Sequence, residues 1–171
     1  MTHISIVTVC FNTTRTIQNT LRSVNQQSYT QPDHVVIDGG FPDGTPNLVR
    51  RLGSRVSSNV CEWNDGIYDA MNRGLRRTTT EFVMFLNADD QYADPNCVDD
   101  LAQALMKSGA DSAYVRDDAR LTHVRHGKSG PYLRGAFARG WAPPYPTFLA
   151  RRDRLLEQAD STRATPARGP F

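Results

Sequence analysis

The chain has 171 residues, enough for one domain with its own hydrophobic core, and its hydrophobic (39%) and charged (22%) fractions are those of an ordinary globular protein. The net charge is only +2, which argues against a protein built to coat a polyanion. No apolar stretch approaches the roughly 18 residues of a membrane span, no secretory leader precedes the first strand-like run, and no internal repeat is visible.

The charge is unevenly spread: residues 112–171 carry a balance of +6 and residues 1–111 a balance of −4. The basic half can face an anion such as a diphosphate or a lipid headgroup, which permits peripheral membrane contact. No basic-aromatic stripe or nucleic-acid motif is present, so nucleic acid is not an expected partner. The three cysteines, Cys10, Cys61 and Cys97, are odd in number and lack metal-ligand spacing. Cys10 and Cys61 lie in apolar runs and are expected to be buried thiols, which suits a reducing cytoplasm.

Ile4 to Cys10 is apolar and β-branched and reads as a strand buried on both faces. Asn12 or Thr13 can cap a helix from Arg15 to Gln26, with Ile17, Leu21 and Val24 on one face. After a turn at Tyr29 to Asp33, His34 to Ile37 forms a second strand, ending at Asp38-Gly39-Gly40. Thr45 is expected to cap the next helix, with Pro46 in its first turn and Gly53 closing it. Asn59 to Glu62 reads as a short third strand. Ile67, Ala70, Met71 and Leu75 then have helical spacing, with Tyr68 expected to cover the core. Phe82 to Leu86 is a fully apolar strand that runs into Asn87-Ala88-Asp89-Asp90. Asp94-Pro95 opens a helix with Val98, Leu101 and Leu105 on one face, and Ser112 to Val115 is a further strand.

Beyond Arg116 the pattern weakens. Arg120 to Val124 reads as an edge strand and Gly127 to Gly140 as a loop. Thr147 to Ala150 reads as one more strand, followed by an Arg-rich helix to Gln158. The domain is expected to cover residues 1–158, with residues 159–171 an irregular tail. His123 and His126 are expected to be solvated rather than metal ligands. Strands alternating with helices predict an α/β fold, a mostly parallel sheet covered on both faces.

In such a sheet ligands bind beyond the carboxyl ends of the strands. Three strands end there in special residues: Phe11-Asn12, Asp38-Gly39-Gly40 and Asp89-Asp90. Two adjacent carboxylates at a strand end repel one another. A divalent cation relieves that repulsion, since hard cations favour carboxylate oxygens; a solvated turn relieves it too. With no Gly-rich phosphate loop, the convergence points to a nucleotide site that uses a metal.

Four ordered segments carry a family likeness. Ile4 to Asn12, Val36 to Gly40 with Asp43-Gly44-Thr45, Gly66-Ile-Tyr-Asp-Ala-Met-Asn-Arg-Gly74 and Phe85-Leu-Asn-Ala-Asp-Asp90 together resemble family 2 glycosyltransferases. The likeness covers residues 3 to 116 well and 143 to 157 weakly. It implies a Rossmann-like, glycosyltransferase A-type fold. The implied activity is metal-dependent, inverting transfer of a sugar from a nucleotide-diphosphate donor to a glycan or lipid-linked acceptor. The implied setting is cell-surface polysaccharide synthesis, in the cytoplasm or at the inner face of the membrane.

The same resemblance assigns the donor site. Phe11 and Asp38 would contact the base, Asp89 would lie near the ribose, and Asp90 would hold Mg²⁺ or Mn²⁺, although the last two roles are interchangeable at the level of sequence. Taken alone, Phe11 also suits a core position and Asp38 a turn. Asp69 would approach the sugar nucleotide at the start of a helix, a place the helix dipole favours for any carboxylate. The chain departs from the family at Asn64, where an acidic residue is usual, at Asp65, where a basic one is usual, and at Phe41-Pro42. The family's downstream acidic motif, which supplies the general base, is not visible, and Tyr145 stands where many relatives have His. No catalytic base is assigned. A relative that binds nucleotide without transfer is the alternative.

Overall fold

A computed structural model of the chain describes residues 2–30, 32–114 and 145–163. The elements are β1 (Ile4–Cys10), α1 (Ile17–Asn25), β2 (Asp33–Asp38), α2 (Thr45–Leu52), β3 (Val56–Cys61), α3 (Ile67–Arg77), β4 (Phe82–Asn87), α4 (Cys97–Ser108), β5 (Ser112–Ala113), a 3₁₀ turn (Tyr145–Thr147), β6 (Leu149–Arg151) and α5 (Arg152–Arg163). They build one sheet of order β3-β2-β1-β4-β6-β5. β3, β2, β1 and β4 are mutually parallel, and β6 runs antiparallel to both β4 and β5.

Every residue of β1 is buried: the apolar side chains pack on both faces, and Ser5 and Thr8 are hydrogen-bonded to Asp33 and His34. Ile4 and Ile6 face the core shared with Met84, Leu86 and the Val98, Leu101 and Leu105 stripe of α4. Val7 and Val9 face the opposite way, onto Ala70, Met71 and Leu75 of α3. A third cluster joins Cys10 to Ile17 and Leu21 of α1 and Val49 of α2. Gly74 lets α3 lie directly on the sheet, since a methyl group there would overlap the Val7 side chain.

Several boundaries differ from those read in the sequence. α1 starts at Ile17, because a tight turn comes first: the Thr13 carbonyl accepts from the Thr16 and Ile17 N–H groups at 3.0 and 2.9 Å. α2 is capped by Gly44 at φ 89°, not by Thr45, whose hydroxyl is turned to Asp43 instead. β3 starts earlier, at Val56, and as an edge strand it leaves Cys61 exposed rather than buried. Tyr68 and Ile67 are 68% and 47% exposed, because α3 turns Ala70, Met71, Gly74 and Leu75 to the sheet. α5 continues through Arg163, and Ala159 is buried beside Leu155 and Leu156 in the α3-side core. The edge strand expected at 120–124, the loop at 127–140, His123, His126 and the tail from residue 164 lie outside the described residues. Among the described residues no helix is long and apolar enough to cross a membrane.

His34 is fully buried in β2, with Nε2 2.9 Å from the Thr8 hydroxyl. Burial pushes its pKa down from 6.5 to about 4, against a weaker opposite pull from Asp33. The folded protein therefore keeps this ring neutral where the unfolded chain protonates it. Stability should rise with pH between about 4 and 6.5, by on the order of 3 kcal/mol. Denaturant titrations across that window would show it, and His34→Gln should flatten the slope. Gly74→Ala should destabilise the fold by about 1–3 kcal/mol through overpacking against Val7; an unchanged unfolding midpoint would refute the close approach.

Candidate nucleotide site at the strand tips

The register brings three strand ends to one edge. Cys10 of β1 pairs with Asp38 of β2, and Val9 with Asn87 of β4. The tips are tied to one another: the Gly39 N–H donates to the Cys10 carbonyl at 2.9 Å, and the Ala88 N–H to the Val9 carbonyl at 3.2 Å. Phe11, Asp38, Asp89 and Asp90 therefore emerge side by side.

Asp38 has no solvent exposure. Its Oδ1 accepts from the Gly40 N–H at 2.9 Å and from the Cys61 thiol at 3.2 Å. Its Oδ2 is buried and has no hydrogen-bond partner among the described residues. The hydrogen bond to Asp38 raises the Cys61 pKa, whereas Cys10, buried within the sheet, is pushed up to about 12 chiefly by loss of solvent. Neither thiol is poised as a nucleophile.

Phe11 is 64% exposed, so it is not a core residue. Its ring lies 5.3 Å from that of Phe41 at a tilt of 56°, within the range of favourable aromatic pairs. Phe11 and Asn64 converge on Gly39: a methyl group there would sit 2.9 Å from Phe11 Cδ2 and 3.2 Å from Asn64 Nδ2. Asn64 Oδ1 accepts from the Gly66 N–H at 3.2 Å, and its Nδ2 is buried without a partner among the described residues. Asp65 is exposed.

On the other side of β1, the β4 tip is anchored by Thr20 of α1, whose hydroxyl lies 3.0 Å from the Ala88 carbonyl and 2.7 Å from that of Asp90. Asp89 is exposed and Asp90 is 9% exposed. No group of three or more His, Cys, Asp or Glu side chains among the described residues is arranged to hold a metal alone. Such a tip suits a hard cation that takes one or two carboxylates and completes its shell with phosphate oxygens and water.

Two loops near the tips are braced by carboxylates. Asp43 accepts from the backbone and hydroxyl of both Thr14 and Thr45 at 2.7–3.2 Å. Burial raises its pKa, but these hydrogen bonds outweigh it and hold the carboxyl down to about 2. Asp69 pairs with Arg73 at 2.8 Å and accepts from the Asp65 N–H at 3.1 Å, while Arg73 also donates to the Trp63 carbonyl at 2.9 Å. Asp69 thus stands in the first turn of α3 with contacts that hold the 62–66 loop. Asn64 entered the sequence reading only as a departure from the family, and Cys61 only as a buried thiol; the pairing of Asp38 with Cys61 across β2 and β3 is what places Cys61 beside the tip.

The mostly parallel six-stranded sheet flanked by helices is the fold of glycosyltransferase A-type enzymes. The chain belongs to glycosyl transferase family 2, whose description matches residues 5–160. It is 31% identical over 107 residues to the glycosyltransferase Rv1514c of Mycobacterium tuberculosis, covering 62% of this chain and 41% of that protein. It is 31% identical over 93 residues to poly-beta-1,6-N-acetyl-D-glucosamine synthase of Staphylococcus epidermidis, covering 53% and 23%. Among solved structures it superposes on Staphylococcus aureus TarS 1-349 in complex with UDP-GlcNAc, with a TM-score of 0.72, 19% identity and coverage of 92% and 47%. It also superposes on the Pyrobaculum calidifontis mannosyltransferase PcManGT in complex with GDP-Man and Mn²⁺, with a TM-score of 0.66, 20% identity and coverage of 92% and 46%. The chain thus spans less than half the length of each of these proteins.

Asp43→Ala should destabilise the chain by about 2 kcal/mol, since it strands the donors of Thr14 and Thr45. Because its folded pKa is depressed, the Asp43 contribution is complete above the ordinary 3.8 and is lost as pH falls towards 2. Unfolding midpoints of the wild type and the variant should therefore converge at low pH.

Proposed function

We propose that the chain carries the donor-binding part of a glycosyltransferase that moves a sugar from a nucleoside diphosphate to a glycan or lipid-linked acceptor, with inversion, in cell-surface polysaccharide synthesis. The observation that carries this reading is the buried, half-satisfied Asp38 at a tip shared with Phe11 and the Asp89–Asp90 pair. Family membership, and relatives named for polysaccharide synthesis, support it. Phe11 offers its exposed face for stacking on the base, and Asp38 Oδ2 is an acceptor for a ring N–H. Asp89 meets the ribose, and Asp69, in the first turn of α3, approaches the sugar nucleotide. Asp90 is the ligand for Mg²⁺ or Mn²⁺. Bound there, such a cation supplies Lewis-acid neutralisation of the charge growing on the departing diphosphate. A solved neighbour binding Mn²⁺ and GDP-Man supports a divalent metal. The basic C-terminal half supports action at the inner face of the membrane.

A second reading is nucleotide binding without transfer. It is favoured by the state of two of the carboxylates, Asp153, Glu157 and Asp160, that follow the Pro143–Arg152 segment: Asp153 and Glu157 are exposed and engaged by Arg151 and Arg154. Calorimetric titration of UDP and GDP with and without Mn²⁺ tests the donor site. One of the two should bind, and Mn²⁺ should tighten it. Asp90→Ala should remove at least roughly tenfold of that gain. Metal dependence that survives in Asp90→Ala overturns the metal assignment, and binding of neither nucleotide overturns the donor site. Donor hydrolysis then separates transferase from binder.

A further inference from the structure

We infer that Thr20 of α1 is a positioning residue for the divalent cation: from behind the β4 tip it fixes the turn that carries Asp89 and Asp90, and so sets how tightly the cation is held. The inference rests on the donor-site reading above and adds a residue behind the ligands rather than another ligand.

The turn is short. The Asp90 N–H donates to the Asn87 carbonyl at 3.0 Å, which closes residues 87–90 into one tight turn at the end of β4. Two adjacent carboxylates on such a turn repel one another, and a backbone free to move would let them part. Thr20 removes that freedom. Its hydroxyl lies 2.7 Å from the Asp90 carbonyl and 3.0 Å from the Ala88 carbonyl, so one proton is shared by the oxygens on either side of Asp89. A Thr within a helix commonly turns its hydroxyl back to a carbonyl of its own helix. Here it is directed at a turn 68 and 70 residues away in sequence. The side chain is β-branched, hence stiff at χ1, and only 1% exposed, so water does not stand in for it.

The grip continues along the same segment. Gln27, just past the end of α1 and 2% exposed, donates from Nε2 to the Asp94 carbonyl at 3.0 Å and accepts at Oε1 from the Val98 N–H at 3.1 Å. The Ser28 N–H donates to the Pro95 carbonyl at 2.7 Å. The chain leaving the tip is thus held at both ends, and Thr20 is the contact at the metal end. The two carbonyl oxygens it engages are also withdrawn from the oxygens a cation could take, which leaves the carboxylates. A site with so few protein ligands depends on their orientation, and losing a hydrogen bond that supports a ligand costs about 10–100-fold in metal affinity.

The test is calorimetry on the full chain, titrating whichever of UDP and GDP binds, with and without Mn²⁺, beside an unfolding midpoint for each variant. Thr20→Val removes the hydroxyl at nearly constant volume. It should cut the Mn²⁺ gain in affinity about tenfold while the metal-free affinity holds. Thr20→Ser keeps the donor and should retain most of that gain. Because Thr20 acts through Asp90, adding Thr20→Val to Asp90→Ala should lose no more than Asp90→Ala alone. If Thr20→Val does not fold, Thr20→Cys, whose thiol is a weak donor, takes its place with the same expectation. A lowered midpoint with an intact Mn²⁺ gain makes Thr20 a structural anchor only and overturns the inference. So does a loss of equal size with and without Mn²⁺, or a further loss in the double variant. A wild type that binds neither nucleotide, or that binds one without regard to Mn²⁺, fails earlier, at the donor site or at its metal.

Discussion

The functional edge depends on one carboxylate that folding removes from water and only half satisfies. Asp38 ends a strand buried in the middle of the sheet, and it is held there by the pairing of β2 with β1 on one side and β3 on the other. A lone buried charge is unfavourable unless it is hydrogen-bonded. Gly40 and Cys61 meet that requirement at one oxygen. The fold tolerates the other because the rest of the sheet is a two-sided apolar core.

The loops around Asp38 are stiffened by polar contacts, not by packing. Asp43 gathers four hydrogen bonds from Thr14 and Thr45, which joins the loop after β1 to the loop after β2. Arg73 reaches from α3 to Asp69 and to the Trp63 carbonyl, which joins α3 to the loop after β3. Two loops are thus tied to one another and the third to α3, while their aromatic side chains, Phe11, Phe41 and Trp63, stay exposed. Rigid backbone with accessible rings suits stacking, which needs a pre-positioned face and little rearrangement.

The strands were legible because Ile4–Cys10 is mostly β-branched and apolar and Phe82–Leu86 is an unbroken apolar run, and such runs have few alternatives to a buried parallel strand. The tip residues Phe11, Asp38, Asp89 and Asp90 followed from those strands by position alone. Cys61 did not, since its contact with Asp38 depends on the register between β2 and β3, which no local pattern encodes. Tyr68 was misplaced for a related reason: Ile67, Tyr68, Ala70 and Met71 are all apolar or aromatic, so spacing alone does not decide which of them meets the sheet. The end of α5 was set too early because Ala159 to Arg163 has no amphipathic period; the burial of Ala159 is a packing event in the core shared with α3.

The antiparallel strand β6 has a consequence for how the chain is made. β4 is paired with β1 as soon as Asn87 exists, but its other side waits for Leu149–Arg151, with Glu81 and Arg151 separated by 70 residues. A ribosome-bound nascent chain therefore carries an open hydrogen-bonding edge on a strongly apolar strand until late in translation. Sealing that edge is a long-range step, of the kind that slows folding and leaves a strand open to intermolecular pairing.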